Sequence, residues 1–154
     1  MSKVSMLSME KNESDICNTY YKSFTDIERI GDHAMNLIGH GEDEMYKLNQ
    51  YPVIEDELKQ LQDVLEESIL VLLNSHPNTI EEVYDTVAVN EDKIDEMTER
   101  FKANQMQRLK NEEVDAMDCV LYTEVLIDIE RVSDHLMNLA EDLKSQHISF
   151  TETY

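Results

Sequence analysis

Glycine, proline and tryptophan are scarce in this chain, which has three glycines, two prolines and no tryptophan among its 154 residues. Sheet-rich folds need frequent turns, so these low counts disfavour them and favour long helices. Hydrophobic residues nevertheless make up 41% of the sequence, and a chain of this length can bury one compact core. The composition therefore predicts a single all-α domain.

Cysteine, positive charge and long apolar runs are also in short supply. Cys17 and Cys119 are too few for a disulfide framework, so free thiols in a reducing cytoplasm are expected. Thirteen basic residues face 34 acidic ones, and the net charge of −21 would repel a nucleic-acid backbone. The longest apolar run, residues 69–73, is far shorter than a membrane span, and the N-terminus has no signal-peptide core. We expect a soluble, cytoplasmic chain that binds no nucleic acid and has no membrane span.

Apolar residues recur at three-to-four-residue spacing in four long stretches. The predicted helices lie near residues 13–40, 53–75, 78–110 and 112–145, with no strand between them. Gly39 and Gly41 are typical of a helix C-terminus, and Thr79 followed by Glu82 predicts a capping box at the start of the third helix. Short connections place consecutive helices antiparallel. The expected fold is an antiparallel bundle of four long helices over residues 13–146, with tails at 1–12 and 147–154.

One phrase occurs twice. Residues 26–38 read DIERIGDHAMNLI, and residues 128–140 read DIERVSDHLMNLA. Nine of the thirteen positions are identical, and most of the identical residues are polar. Packing alone has no reason to repeat so many polar types, so we interpret the repeat as a polar site that is built twice. The offset of 102 residues corresponds to one three-helix unit.

Three pairs of carboxylates stand at i and i+4, which places both members on one helical face about 6 Å apart. Two of them lie in the repeated phrase. In the third, Glu91 falls where the apolar line of its helix expects a hydrophobic residue, and a carboxylate there is costly unless it is paired or metal-bound. Oxygen ligands at this separation suit a hard cation. The candidate metal ligands are Glu28, Asp32, Glu91, Asp95, Glu130 and Asp134.

Other interpretations of these residues stay open. A chain with 34 acidic residues contains many such pairs on solvated faces, and a shifted register would leave Glu91 partly exposed. His33 and His135 could add ligands, but we favour their pairing with neighbouring acids. For Arg29 and Arg131 we favour neutralisation of nearby acids over substrate binding, and phosphate binding is the alternative.

Signatures of common enzyme sites are missing from the sequence. It contains no Glu-x-x-His of the ferritin-like di-iron type, no glycine-rich phosphate loop, no CxxC and no GxSxG. No nucleophile stands out with a companion base. We therefore predict a protein that is not an enzyme, and a carboxylate-bridged metalloenzyme is the weakest of the functions considered.

The repeated phrase resembles the signature of the PhoU family, in which each three-helix repeat carries a Glu/Asp-x-x-x-Asp motif. Residues 90–109, NEDKIDEMTERFKANQMQRL, resemble the helix that precedes this signature. The run from the third helix into the fourth is most similar to the cytoplasmic C-terminal PhoU-like region of bacterial sodium/phosphate cotransporter family proteins. The resemblance covers about residues 10–146, and the second helix contributes little to it.

The resemblance implies a regulatory or accessory domain of phosphate transport, built from one full three-helix repeat and the last helix of a preceding repeat. It also implies that divalent or iron-type metal ions can bind to the acidic motifs. Carried over to this chain, one site would consist of Glu91, Asp95, Glu130 and Asp134. Half of a second site would consist of Glu28 and Asp32. The alternative function is a stand-alone metal-binding or scaffolding bundle without a transport role.

Two departures from the family pattern bear on these expectations. The two leading helices of the first repeat are missing, and Gln105 stands near a position where cotransporter-type relatives often carry histidine. The missing helices indicate a fragment of a longer protein. They would also leave an apolar line on the first helix that includes Phe24 and Ile27. Either this helix packs on the other three, or a homo-oligomer or a membrane transporter domain covers its open face.

Overall fold

The computed structural model describes residues 11–39 and 47–151, with side chains described over 13–39 and 47–146. Four long helices dominate these ranges, and they contain no strand. The helices are α1 (Lys11–Gly39), α2 (Pro52–Leu73), α3 (Ile80–Lys110) and α4 (Ala116–Thr151). The predicted all-α bundle is therefore confirmed. Within the described ranges, no helix is both long enough and apolar enough to cross a membrane.

Side-chain contacts give the direction in which each helix runs. Ser23 bonds to Asp142 and His33 bonds to Asp128, so α1 and α4 run antiparallel. The connections between α2 and α3 and between α3 and α4 are short, and these helices are antiparallel as predicted. The helices α2, α3 and α4 form a three-helix core, whereas α1 packs mainly against α4.

The core is built from the apolar lines of α2, α3 and α4. Ile54 and Leu61 of α2, Ile94 of α3, and Tyr122 and Leu126 of α4 are all fully buried. These side chains occur at three-to-four spacing, which puts them on one face of each helix. The apolar line predicted for α1 is not buried in this core, since Phe24 and Ile27 are mostly exposed.

Some helix ends differ from the prediction and others agree with it. Thr79 stands at the N-cap position of α3, but the predicted capping bond is not formed. Thr79 is the last residue of a 3₁₀ turn, Pro77–Thr79, and its hydroxyl instead accepts a bond from the backbone N–H of His76 (3.2 Å). Gly39 ends α1 as expected, whereas Gly41 lies outside the described residues. α4 begins at Ala116 and continues to Thr151, past its predicted end near residue 145.

A Schellman-type turn ends α3 and sets the direction of α4. Glu112 adopts a left-handed backbone (φ 60°). The backbone N–H of Glu113 bonds to the carbonyl of Arg108, and that of Glu112 bonds to Leu109. These two bonds satisfy carbonyls that the helix end would leave unpaired. The turn folds α4 back along α3, and this orientation brings their acidic residues together.

A buried carboxylate joins the three core helices. Glu57 of α2 is 5% exposed, and its two oxygens accept bonds from both terminal nitrogens of Arg108 on α3. The hydroxyl of Tyr122 on α4 donates to the same carboxylate (2.7 Å). Arg108 also donates to Gln105, which is fully buried. Gln105, which stands near a position where cotransporter-type relatives often carry histidine, therefore belongs to this core network and not to the acidic cluster.

We predict that Glu57→Ala lowers the free energy of unfolding by about 3–5 kcal/mol, because it leaves the guanidinium of Arg108 without its partner inside the protein. Urea unfolding monitored by circular dichroism measures this change. The control is Glu66→Ala at an exposed position of α2, which should cost less than about 0.5 kcal/mol. Equal midpoints for the two variants would contradict the structural role of Glu57.

Candidate metal site

The two copies of the repeated phrase pack directly against each other on α1 and α4. Nδ1 of His33 lies 2.8 Å from an oxygen of Asp128, and Nδ1 of His135 lies 2.8 Å from an oxygen of Asp26. Each phrase therefore contributes one histidine and one aspartate to two equivalent pairs. The pairs are related by an approximate two-fold axis between the helices.

The contact is reinforced at its centre and at its edges. The rings of His33 and His135 stack with centroids 5.8 Å apart. Asn138 donates to Asp26 (3.1 Å), and Asn36 makes the equivalent, longer bond to Asp128 (3.4 Å). The histidines thus pair with acids, as we favoured from the sequence, but the acids lie on the opposite helix. Sequence analysis missed this role of the aspartates. The signal was present, because both residue types recur at the same offset.

We predict that Asp128→Ala loosens α1 selectively, because it leaves the buried ring of His33 without its acceptor at a cost of about 1–3 kcal/mol. Hydrogen–deuterium exchange should become faster along α1 and stay unchanged in α2 and α3. Glu124→Ala, one turn earlier on α4 and exposed, is the control. Faster exchange throughout the chain would contradict the prediction, since it would mean that the pair supports the whole core.

Three carboxylates converge between α3 and α4. Glu91, Asp95 and Asp134 can each place one oxygen within 4.8 Å of the other two. Glu91 and Asp95 are one turn apart on α3, and the antiparallel course of α4 brings Asp134 alongside them. A set of three carboxylate oxygens at this spacing suits a hard or borderline cation. The chain therefore contains three converging donors that fit a metal ion.

Burial, and after it nearby negative charge, raises the pKa of all three carboxyl groups. Burial, followed by the nearby charge of Asp95, raises the pKa of Glu91 above its ordinary value. Burial and the charge of Glu130 raise the pKa of Asp95 and of Asp134. His135 and Arg131 oppose the rise at Asp134 without cancelling it. The site is therefore a place where positive charge is favoured, whether it comes from protons or from a metal ion.

Glu130, the fourth predicted ligand of this site, is engaged elsewhere. Its carboxylate accepts a bond from the ammonium group of Lys102 (2.6 Å) and a longer one from the hydroxyl of Thr98 (3.4 Å). It remains close enough to influence the pKa of Asp95 and Asp134. Glu130 therefore borders the three-carboxylate group, and Lys102 neutralises it.

The remaining predicted ligands, Glu28 and Asp32, lie apart from this group on the exposed face of α1. No third donor joins them among the described residues. Of the two cysteines, Cys119 is buried and Cys17 is half-buried, and both are free thiols. Arg131 offsets acidic charge at Asp134, as we expected for the arginines of the phrase.

We predict that the acidic group makes the protein more stable as the pH falls. Because folding raises these pKa values, the folded protein binds protons more readily than the unfolded chain, and stability grows as pH drops through the raised values. In chelator at neutral pH, Asp95→Asn should therefore be more stable than the unaltered protein by about 0.5 kcal/mol.

Urea unfolding at several pH values tests this prediction. The advantage of Asp95→Asn should shrink toward acidic pH, where the native carboxylates are themselves protonated. Asp63→Asn, at an exposed position on α2 outside the group, should show no such trend. A destabilised Asp95→Asn at neutral pH without metal would contradict the assignment of repulsion.

The model of the PhoU domain family matches residues 54–143, which include both helices of the acidic group. The chain is 27% identical over 128 residues to a curated protein of Thermotoga maritima named phosphate-specific transport system accessory protein PhoU homolog 1. The alignment covers 81% of this chain and 53% of that protein, so the chain spans about half of the relative's length. No solved structure matches the chain.

Proposed function

This chain belongs to the PhoU domain family, and from that premise we propose that it is a non-enzymatic regulatory or accessory module of phosphate transport on the cytoplasmic side of the membrane. The relative is named as an accessory protein of a phosphate-specific transport system, which supports the proposal. The residues that align with this family include α2, α3 and most of α4. They are the helices that bury the core and carry the acidic group.

The proposed partner is the membrane domain of a sodium/phosphate cotransporter family protein. The support is the resemblance of the third and fourth helices to the cytoplasmic region of such proteins. The chain also exposes an apolar face on α1, which agrees with its being one part of a larger assembly. In this role the module acts through protein contacts and performs no bond-breaking chemistry.

Metal binding is the proposed source of control. Glu91, Asp95 and Asp134 would hold a divalent or iron-type ion, and Glu130 would border it. A bound cation would offset the burial and the repulsion that raise the pKa of the three carboxylates. It would also fix α3 against α4 near the middle of both helices, because its ligands come from both. The convergence of these three carboxylates is the observation that carries this part of the proposal.

The alternative is a stand-alone metal-binding or scaffolding bundle without a role in transport. The same acidic group favours it, because three converging carboxylates bind cations whatever the partner. The two functions differ in one consequence. A transport module changes phosphate uptake when its metal ligands are altered, whereas a stand-alone bundle does not.

We predict that replacing the gene in its native host by the Asp95→Asn/Asp134→Asn variant changes the initial rate of radiolabelled phosphate uptake by about fivefold or more, the lower end of ordinary allosteric coupling. The matched control is Asp63→Asn, which should leave uptake unchanged. Calorimetric titration of the purified proteins with Mn²⁺, Zn²⁺ and Fe²⁺ should show binding that the double variant loses and the control keeps.

The two measurements separate the proposals. Unchanged uptake together with lost metal binding would contradict the transport role and favour the stand-alone bundle. Altered uptake in the absence of any metal binding by the unaltered protein would support the transport module and contradict metal control. If the double variant keeps both normal phosphate uptake and metal binding, the proposed transport role and the proposed metal control are both overturned.

A further inference from the structure

A lysine of α3 lies on the same side of the helix as two of the three carboxylates of the acidic group. Glu91, Asp95, Thr98 and Lys102 follow one another at spacings of four, three and four residues, which keeps them on one face. Thr98 is buried, and its hydroxyl donates to the backbone carbonyl of Asp95 (3.1 Å). The acidic group and the ammonium of Lys102 therefore occupy successive turns of α3.

The two carboxylates of the matching pair on α4 are used differently. Asp134 belongs to the acidic group, whereas Glu130, one turn earlier, does not. Oε2 of Glu130 accepts a bond from Nζ of Lys102 (2.6 Å), and the hydroxyl of Thr98 lies 3.4 Å from the same oxygen. One carboxylate of the pair is thus available to an ion from solution, while a cation of the chain itself holds the other.

The contact between Lys102 and Glu130 can be broken at little cost. Their side chains are 32% and 37% exposed, and ion pairs that water screens in this way contribute little net stability. Glu130 and Asp134 stand at i and i+4, so their Cβ atoms are about 6 Å apart. A Glu130 side chain released from Lys102 could therefore turn toward an ion that Asp134 contacts.

The charge of Lys102 also acts on the acidic group directly. Burial and the charge of Glu130 raise the pKa of Asp95, and the charge of Lys102 lowers it without cancelling the rise. A positive charge that is close enough to stabilise the carboxylate of Asp95 also repels a metal ion bound to that carboxylate. Lys102 therefore opposes a bound cation through its own charge as well as through Glu130.

We propose that Lys102 is a competitor of the metal ion that is built into the fold. By binding Glu130 it withholds a fourth carboxylate from the acidic group, and by its own charge it weakens cation binding there. The number of charged ligands is one of the factors that set the affinity of such a site. The inference rests on the proposed metal control and gives it a range, because an ion held loosely can exchange as its concentration changes.

A purely structural role for Lys102 has a different consequence. If its bond to Glu130 served only to hold α3 against α4, removal of the ammonium would leave metal affinity unchanged or would lower it by loosening the site. Competition predicts a change of the opposite sign. The direction of the change in metal affinity therefore separates the two roles.

We predict that Lys102→Gln binds Mn²⁺ about tenfold more tightly than the unaltered protein in calorimetric titration, an effect of the size usual for groups beside metal ligands. Mn²⁺ is the probe because oxygen ligands suit it. Lys102→Arg keeps both the charge and the donor, and it should bind Mn²⁺ as the unaltered protein does. Lys93→Gln removes the same charge at an exposed position on another face of α3, and it should change the affinity less than about twofold because solvent and salt screen that charge.

A double variant tests whether the gain comes from Glu130 as a ligand. Lys102→Gln/Glu130→Asp keeps the negative charge but shortens its side chain by one methylene group, so the carboxylate no longer reaches the acidic group. The gain in Mn²⁺ affinity should then disappear. Circular dichroism confirms that each variant is folded.

The possible results distinguish this inference from the proposed function. Equal Mn²⁺ affinities of the unaltered protein and of Lys102→Gln would overturn the competition and leave metal control intact. The absence of Mn²⁺ binding by both proteins would overturn the competition and metal control together. An equal gain in Lys93→Gln would also overturn the competition, since net charge would explain it, and so would a gain that persists in the double variant.

Discussion

Two aspartates that are mostly buried, Asp26 and Asp128, each accept a hydrogen bond from a histidine of the opposite helix, and the place of α1 in the structure depends on these bonds. α1 packs mainly against α4 and keeps a whole apolar face exposed. Burial of apolar area alone would not choose between its two faces, since both have helical spacing. The histidine–aspartate pairs make the choice, because an unpaired buried carboxylate is costly.

This choice distributes the polar residues of the phrase between two tasks. Aspartate, histidine and asparagine hold the two copies of the phrase together. The remaining carboxylates of the phrase, such as Glu130 and Asp134, lie on the side of their helix that faces away from this contact, where a further helix can pack. On α4 that helix is α3, which brings Asp95 beside Asp134. On α1 no such helix follows within the described residues, so Glu28 and Asp32 stay exposed. The difference between the two copies therefore comes from their neighbours and not from their own sequence.

Much of the fold follows from periodicity within single helices, and this part could be predicted. Apolar spacing indicated the four helices, the short connections indicated their antiparallel order, and the 102-residue offset of the repeat indicated one complete three-helix unit. Sequence analysis could not assign Asp26 and Asp128 to the histidines, because pairing across helices depends on rotation about the helix axis, which spacing does not fix. Sequence analysis missed the salt bridge between Lys102 and Glu130 for the same reason. The capping role predicted for Thr79 was wrong because its hydroxyl bonds within the 3₁₀ turn before α3. The sequence signal for such a turn is weaker than the pattern of a capping box.

The acidic character of the chain has opposite effects on folding and on binding. At Glu91, Asp95 and Asp134 the fold holds negative charges close together and partly out of water, and burial together with this proximity raises the pKa of each carboxyl group. An arrangement selected for stability alone would place a basic residue there, as Lys102 is placed beside Glu130. The core has one such solution already, since Arg108 neutralises the buried Glu57. Among the described residues, Glu91, Asp95 and Asp134 form no ion pair of this kind, and under the proposed function a cation from solution would supply the positive charge there.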